Sequence, residues 1–227
     1  MNKEKVIIEF QKNIGVFFKE TPFLVKALTH SSYDRENNNE RLCFLGDSVL
    51  NMVAASYLFE KYPEYSEGFL TKMKAGLVSR RQLANWANNI ELGKFLFLSN
   101  GERKTGGRKK TSILAEAIEA LVGAIFIDSG IENAKAFIMK HLESCKEESL
   151  DYKSLLQELV QKKNRTLPIY KLIEKSGMEH KPIFSVSVEV AGIIEKGIGR
   201  SKKSAEEDAA RKALKIIEKS GSFAPLR

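Results

Sequence analysis

The hydrophobic pattern changes period at one place, the polar stretch Glu143 to Asp151 (ESCKEESLD), and this divides the chain into two parts that call for different folds. Upstream, apolar residues recur at helical spacing. Thr21-Pro22 reads as a cap with proline at the first helical position, followed by Phe23, Leu24, Ala27 and Leu28. A long helix is predicted from Asn39 to Lys61, closed by Tyr62-Pro63 because the residue before a proline avoids the helical region. Further helices are predicted over 68–78, 80–89, 111–127 and 131–142. Asn100 to Lys110 (NGERKTGGRKK) is glycine-rich and basic without apolar periodicity, and reads as a loop. Downstream the order is a helix over 152–162, strands over 168–174, 183–190 and 193–199 with a turn from Gly192, and a closing helix over 203–219. The expectation is a multidomain chain: an all-α domain at 1–143, a linker at 144–150, an α+β domain of α-β-β-β-α order at 151–220, and a tail at 221–227.

Composition supports a globular chain, with 43% hydrophobic and 29% charged residues and only 5 prolines. No window approaches the roughly 18 unbroken apolar residues of a membrane span, and Glu4 and Glu9 interrupt the start where a signal peptide would be apolar. Cys43 and Cys145 are too few for a disulfide framework or a zinc ribbon, and both fit a reducing compartment. A cytoplasmic protein without a membrane partner is expected. The net charge of +8 points to a polyanionic partner. Its excess lies downstream: residues 151–227 hold 16 basic and 10 acidic residues, against 21 and 19 in residues 1–150.

At about 100° per residue, Glu40, Cys43 and Asp47 fall within a roughly 60° arc of the long helix, and Asn51 shares that face. Leu42, Leu45, Val49 and Val53 lie on the other side, so core packing does not explain the polar arc. A second helix carries Glu116 and Glu119 at i, i+3 opposite an apolar face of Leu114, Ile118, Leu121, Val122 and Ile125. If the two helices pack, Glu40, Asp47, Glu116 and Glu119 can converge. Clustered carboxylates repel one another unless a cation holds them, and hard oxygen donors suit Mg²⁺ or Mn²⁺. Such an ion could activate water against a phosphodiester. Solvated helix faces are the competing reading.

The residues themselves go further. Asn39 to Leu50 (NERLCFLGDSVL) resembles the ribonuclease III family signature N-E-R-L-E-F-L-G-D-S-V-L, departing only at Cys43. Ala27 to Tyr33 (ALTHSSY), the Glu67-Gly68 stretch with Leu70-Thr71-Lys72 and Ala75, and Ser112 to Ala120 (SILAEAIEA) with Gly123-Ala124 and Asp128 are similar to the family's other ordered motifs. The resemblance implies a dimerising, all-helical endonuclease domain whose homodimer cuts both strands of double-stranded RNA and leaves 5′-phosphate and 3′-hydroxyl ends with short 3′ overhangs. By motif position, Asp47 and Glu119 match the family's catalytic metal-binding carboxylates, and Glu40 and Glu67 match supporting acidic residues. Glu116 stands where the family has Asp, which keeps the carboxylate. Cys43 stands where it has a metal-ligand Glu, and a protonated thiol is a poor ligand for Mg²⁺. Mn²⁺ is expected to substitute in part.

Gly197 to Ala205 (GIGRSKKSA) leads into the last helix and places Ser201, Lys202 and Lys203 where free backbone N–H groups attract phosphate. A nucleotide-binding P-loop is excluded by the absence of its G-x-x-x-x-G-K-[ST] spacing. Asp151 to Glu158, Pro168 to Tyr170, Gly177 to Phe184 and Gly197 to Ala210 together resemble the double-stranded RNA-binding domain, which reads A-form shape over about 16 base pairs. The resemblance places Gln157 and Gln161 on one minor groove, His180 on the next, and Lys202 and Lys203 on the phosphates between. His30 reads as a residue that caps or braces helices, and Trp86 as core. Against the enzyme stands a non-catalytic RNA-binding protein that kept the nuclease fold, and Cys43 is the feature dividing the two.

Overall fold

The computed structural model describes residues 3–63, 65–144, 152–164, 167–178 and 181–219. The chain forms two compact units: one holds Met1–Pro63 and Leu70–Ser149, the other Glu64–Phe69 and Leu150–Arg227.

The first unit is helical: α1 (Lys3–Ile14), α2 (Thr21–Ala27), α3 (Glu40–Lys61), α4 (Glu67–Leu77, whose first residues group with the second unit), α5 (Arg80–Asn89), α6 (Asn100–Lys104) and α7 (Thr111–Ser144). Its centre is the packing of α3 on α7. Two glycines allow it: a Cβ on Gly46 would stand 1.7 Å from the Glu119 carbonyl oxygen, and one on Gly123 would stand 2.3 Å from that of Leu42. The helices therefore touch backbone to backbone where any side chain would hold them apart. Around this crossing Leu42, Val49, Leu50, Ile118, Leu121 and Val122 are buried. By length and composition alone α3 is apolar enough to cross a membrane, but it is the core helix here and carries Glu40, Arg41, Asp47, Glu60 and Lys61. α7 is broken at Gly130, whose φ of 82° and ψ of 178° are not helical, so it consists of two helical segments that meet at a kink, in line with the two helices predicted over 111–127 and 131–142. Trp86 is core, as expected, with its ring stacked 4.3 Å from the buried imidazole of His141.

Two local expectations need correction. The N-cap of α2 is Glu20, not Thr21, which is the first helical residue. The reason is Asp128: its carboxylate accepts the Glu20 and Lys19 N–H groups at 2.7 and 3.1 Å, satisfying the entry to the helix from a distant element. The segment 100–110 is not a loop. The Ser99 hydroxyl accepts the Glu102 N–H at 3.1 Å and starts α6, and a 3₁₀ turn follows at Gly107–Lys109. Arg108 donates to the Gly93 carbonyl and Lys110 to the Glu102 carboxylate at 2.6 Å, so some of the basic side chains hold the segment together.

The second unit contains α8 (Tyr152–Asn164), β1 (Ile169–Met178), β2 (Lys181–Val190), β3 (Ile193–Gly199) and α9 (Lys202–Lys219). The strands form an antiparallel sheet in the order β1-β2-β3. β1 and β2 are longer than predicted because their pairing continues through Gly177 opposite Pro182 to Met178 opposite Lys181, with a bulge between Leu172 and Glu174. Ala191 and Gly192, with φ of 49° and 80°, close the β2–β3 hairpin in the left-handed conformations a two-residue turn requires. Val186, Val188 and Val190 alternate inward, and the core includes Leu155, Leu156 and Val160 of α8 and Ala209, Ala213 and Leu214 of α9.

Gly46→Ala should be strongly destabilising, by more than about 3 kcal/mol in chemical denaturation, because the clash is with backbone and the helices cannot separate without opening the core. Gly101→Ala, with nothing nearer than 3.9 Å, should change stability by less than about 1 kcal/mol. A Gly46→Ala protein as stable as the parent would contradict the crossing.

Burial pushes the His141 imidazole down to about 4 from its ordinary 6.5. The unfolded chain then binds more protons between these values, so the stability His141 contributes is present above about pH 6.5 and is lost as pH falls toward 4. Between pH 7 and 5 the parent should lose about 2 kcal/mol that His141→Phe, which keeps the stack on Trp86, does not lose. Urea titrations of both proteins at the two pH values measure the difference.

Candidate active site and nucleic-acid interface

Gly46 and Gly123 decide which side chains meet. Residue 43 lies one turn before Gly46 and residue 47 directly after it, while Glu119 lies one turn before Gly123, so closing the crossing brings Cys43 and Asp47 of α3 to Glu116 and Glu119 of α7. The Cys43 thiol donates to Glu119 Oε2 at 2.9 Å. Asn51 Nδ2 donates to Asp47 Oδ1 at 2.9 Å and to the Asp47 carbonyl, orienting that carboxylate.

The electrostatics follow from this packing. Burial first, then the hydrogen bond to Glu119 and the charges of Glu119, Glu116 and Asp47, hold the Cys43 thiol far above its ordinary range. Cys43 is therefore a neutral proton donor in an acidic cluster. Burial also raises the Glu119 carboxyl; the thiol hydrogen bond opposes this, Asp47 and Glu116 add to it, and Arg80 opposes it. The carboxylates of Asp47, Glu116 and Glu119 are hard oxygen groups of the kind that could hold Mg²⁺ or Mn²⁺, and the soft thiol is already occupied by its proton. Among the described residues no three His, Cys, Asp or Glu side chains surround a common point at ligand spacing. Mutual repulsion of carboxylates gives a physical reason for that spread.

Glu40 is not among the residues whose charges act on Cys43 or Glu119. Glu40 is exposed at the start of α3 and lines an apolar groove with Phe23, Leu42, Phe44, Leu45 and Ile127. Glu67 is exposed at the start of α4. The His30 imidazole makes a local cap, its Nδ1 accepting the Ser32 backbone N–H at 3.1 Å, while the His30 backbone N–H donates to the Phe97 carbonyl. Arg80 escaped the sequence reading. A signal was available, because Arg80 and Arg81 directly follow the Ser79 cap, at the helix end where cations are disfavoured.

In the second unit, Gln157 and Gln161 are exposed one turn apart on α8, opposite buried Leu155, Leu156 and Val160. β3 packs directly on the start of α9: a Cβ on Gly197 would lie 2.1 Å from the Ala205 carbonyl oxygen, and one on Gly199 would lie 2.3 Å from the Ser204 hydroxyl. Ser201 and Ser204 cap the helix reciprocally, the N–H of each donating to the hydroxyl of the other at 3.0 and 3.1 Å. The Ser201 hydroxyl is thus engaged in the cap. Lys202 and Lys203 are exposed in the first turn, which has no acidic residue. Two cations at the positive end of a helix oppose folding, and an anion placed there would gain from both. His180 lies outside the described residues, as does Cys145.

Two family models match the chain: a Ribonuclease-III-like model over residues 20–144 and the double-stranded RNA binding motif over residues 152–217. Ribonuclease 3 of Treponema denticola is 44% identical over 227 residues, covering 95% of this chain and 92% of its own length. Ribonuclease 3 of Clostridium acetobutylicum is 41% identical, covering 96% and 100%. A solved nuclease domain of ribonuclease III from Campylobacter jejuni, described for structural flexibility in a region involved in dimer formation, is 41% identical with a TM-score of 0.58, over 60% of this chain and 94% of that one. The helical unit built on an acidic helix crossing, the α-β-β-β-α unit with its basic helix end, and relatives matched along nearly their whole length show that the chain belongs to the ribonuclease III family of endoribonucleases.

Proposed function

We propose that this protein is a divalent-metal-dependent endonuclease that cuts both strands of double-stranded RNA as a homodimer, leaving 5′-phosphate and 3′-hydroxyl ends with short 3′ overhangs, in ribosomal RNA maturation and structured-RNA turnover. Residues 1–143 are the endonuclease domain, 144–150 the linker, 151–220 the RNA-binding domain and 221–227 a tail. The observation that carries the reading is the placement of Asp47, Glu116 and Glu119 along the α3–α7 crossing, near enough for the charges of Asp47 and Glu116 to act on the Glu119 carboxyl.

These three carboxylates would hold Mg²⁺, with Mn²⁺ as a substitute. When bound, the ion supplies positive charge that makes water more acidic and stabilises the charge developing on a phosphodiester. The chain's own residues do the positioning. Asn51 fixes the Asp47 carboxylate, and Cys43 donates a hydrogen bond to Glu119 Oε2, so the thiol engages one of the two Glu119 oxygens. Glu40 and Glu67 are supporting acidic groups. Gln157, Gln161 and His180 face the minor grooves, and Ser201, Lys202 and Lys203 hold the phosphates between them. Phe44, 79% exposed beside a groove lined by Phe23, Leu42, Leu45 and Ile127, supports self-association of the endonuclease domain, because a solvent-exposed phenyl next to an apolar recess is self-complementary across a two-fold axis.

Asp47→Asn and Glu119→Gln remove charge with little change in volume. Cleavage of a long RNA duplex in Mg²⁺ should fall by at least about 100-fold in each, more than 2 kcal/mol of barrier, with duplex binding retained. A rate within about threefold of the parent would defeat the assignment.

Cys43→Glu replaces a proton donor by a negative charge, the third beside Glu119 after Asp47 and Glu116. In EDTA its melting temperature should fall by about 4 °C or more, reflecting the lost charge-assisted hydrogen bond. Mg²⁺ should then raise it more than it raises the parent's, and cleavage at limiting Mg²⁺ should be faster. Superimposed Mg²⁺ titrations, in melting and in rate, would show that position 43 does not act on the ion.

A further inference from the structure

Away from the carboxylate cluster, the first unit holds a second concavity of about 440 Å³, lined in part by Lys3, Tyr33, Phe97, Arg103 and Arg108. None of Asp47, Glu116 and Glu119 lines it, and among the described residues its walls carry three cations and no carboxylate. The cations come from three separate places: the first turn of α1, the end of α6, and the 3₁₀ turn after it. Arg108 is held in place by the Gly93 and Lys94 carbonyls, and Arg103 by the Asn100 side chain. Burial first, and the charge of Arg103 second, lower the affinity of Arg108 for its proton, so the like charges are close enough to oppose one another.

The wall beside these cations is aromatic. The Tyr33 and Phe97 rings lie 5.9 Å apart at 39°, and the Lys3 ammonium stands 5.1 and 5.3 Å from their centroids. Tyr33 is 47% exposed, so one side of this pair faces outward. A fixed basic rim set against an exposed aromatic surface matches a phosphate joined to a flat base, because the phosphate relieves the repulsion among the cations while the base stacks on a ring.

We propose that this pocket binds one unpaired nucleotide, its phosphate between Arg103, Arg108 and Lys3 and its base against Tyr33 and Phe97. The nucleotide can come from a single-stranded extension of the RNA or from a free nucleoside monophosphate. Such a contact would let the endonuclease domain recognise strand ends that the duplex-reading domain does not. It rests on the basic and aromatic walls alone and does not require the carboxylate cluster to be catalytic.

The test uses the full chain in EDTA, which removes divalent ions from the cluster. Fluorescein-labelled hexaadenylate is titrated by anisotropy against the parent, Arg103→Ala, Tyr33→Ala and Tyr33→Phe, with melting temperatures as the folding control. Arg103→Ala and Tyr33→Ala should each weaken binding about tenfold, while Tyr33→Phe retains it. Removing one phosphate contact should also flatten the salt dependence in Arg103→Ala by about 0.7 in the log–log slope. Competition by adenosine monophosphate but not by adenosine would identify a free nucleotide as sufficient. Weakening by the two alanine variants without such competition would identify the RNA strand as the source. Equal affinities for the parent and both folded alanine variants, or equal competition by adenosine and its monophosphate, would overturn the proposal.

Discussion

Two helices of the first unit approach so closely at Gly46 and Gly123 that carbonyl oxygen and Cα stand in contact, and the rest of the unit is arranged around that contact. A glycine inside a helix is unfavourable by about 1 kcal/mol relative to alanine, so two of them facing each other are retained for what the close approach gives. It buries the apolar sides of α3 and α7 against each other. It also sets the spacing of Cys43 and Asp47 against Glu116 and Glu119 by backbone geometry rather than by side-chain rotamers. The acidic residues are held by the same contact that holds the core, which explains how a cluster of like charges can persist in a folded unit: its repulsion is opposed by the burial of Leu42, Val49, Ile118 and Leu121.

The two units apply opposite electrostatic devices. In the first, negative charges are concentrated and one of the positions facing them is a proton donor, so Cys43 tempers the repulsion on Glu119. In the second, positive charge is concentrated where the helix dipole already makes it unfavourable, at Lys202 and Lys203, and the Ser201–Ser204 cap keeps the helix start ordered in spite of it. Each unit carries a local electrostatic debt, which a cation would relieve in the first and a polyanion in the second.

Much of this was legible in the residues. The helical periods, the change of pattern near residue 143, the acidic arc and the basic helix end follow from spacing, and the motif letters led to the family. What was not legible depended on partners far away in the chain. Thr21 looks like a cap until Asp128, more than a hundred residues later, takes over the satisfaction of the entry N–H groups. The segment 100–110 lacks periodicity because it is held by Ser99, Glu102 and the carbonyl of Gly93 rather than by an apolar face. Glu40 shares the helical arc with Asp47, but two turns of helix carry it to the groove beside Phe44. The hydrogen bond from Cys43 to Glu119 depends on the packing of α3 on α7, which joins residues 76 positions apart.

The kink at Gly130 has a consequence for how this chain can change over time. A straight helix of the length of α7 would be about 50 Å long, and every residue inserted or lost anywhere along it would turn all that follows by about 100°. With the helical path broken at Gly130, a shift in the half that carries Phe137 and His141 stops at the glycine and does not reach Glu119. The half that presents carboxylates and the half that stacks on Trp86 can therefore drift separately, one answering to chemistry and the other to packing.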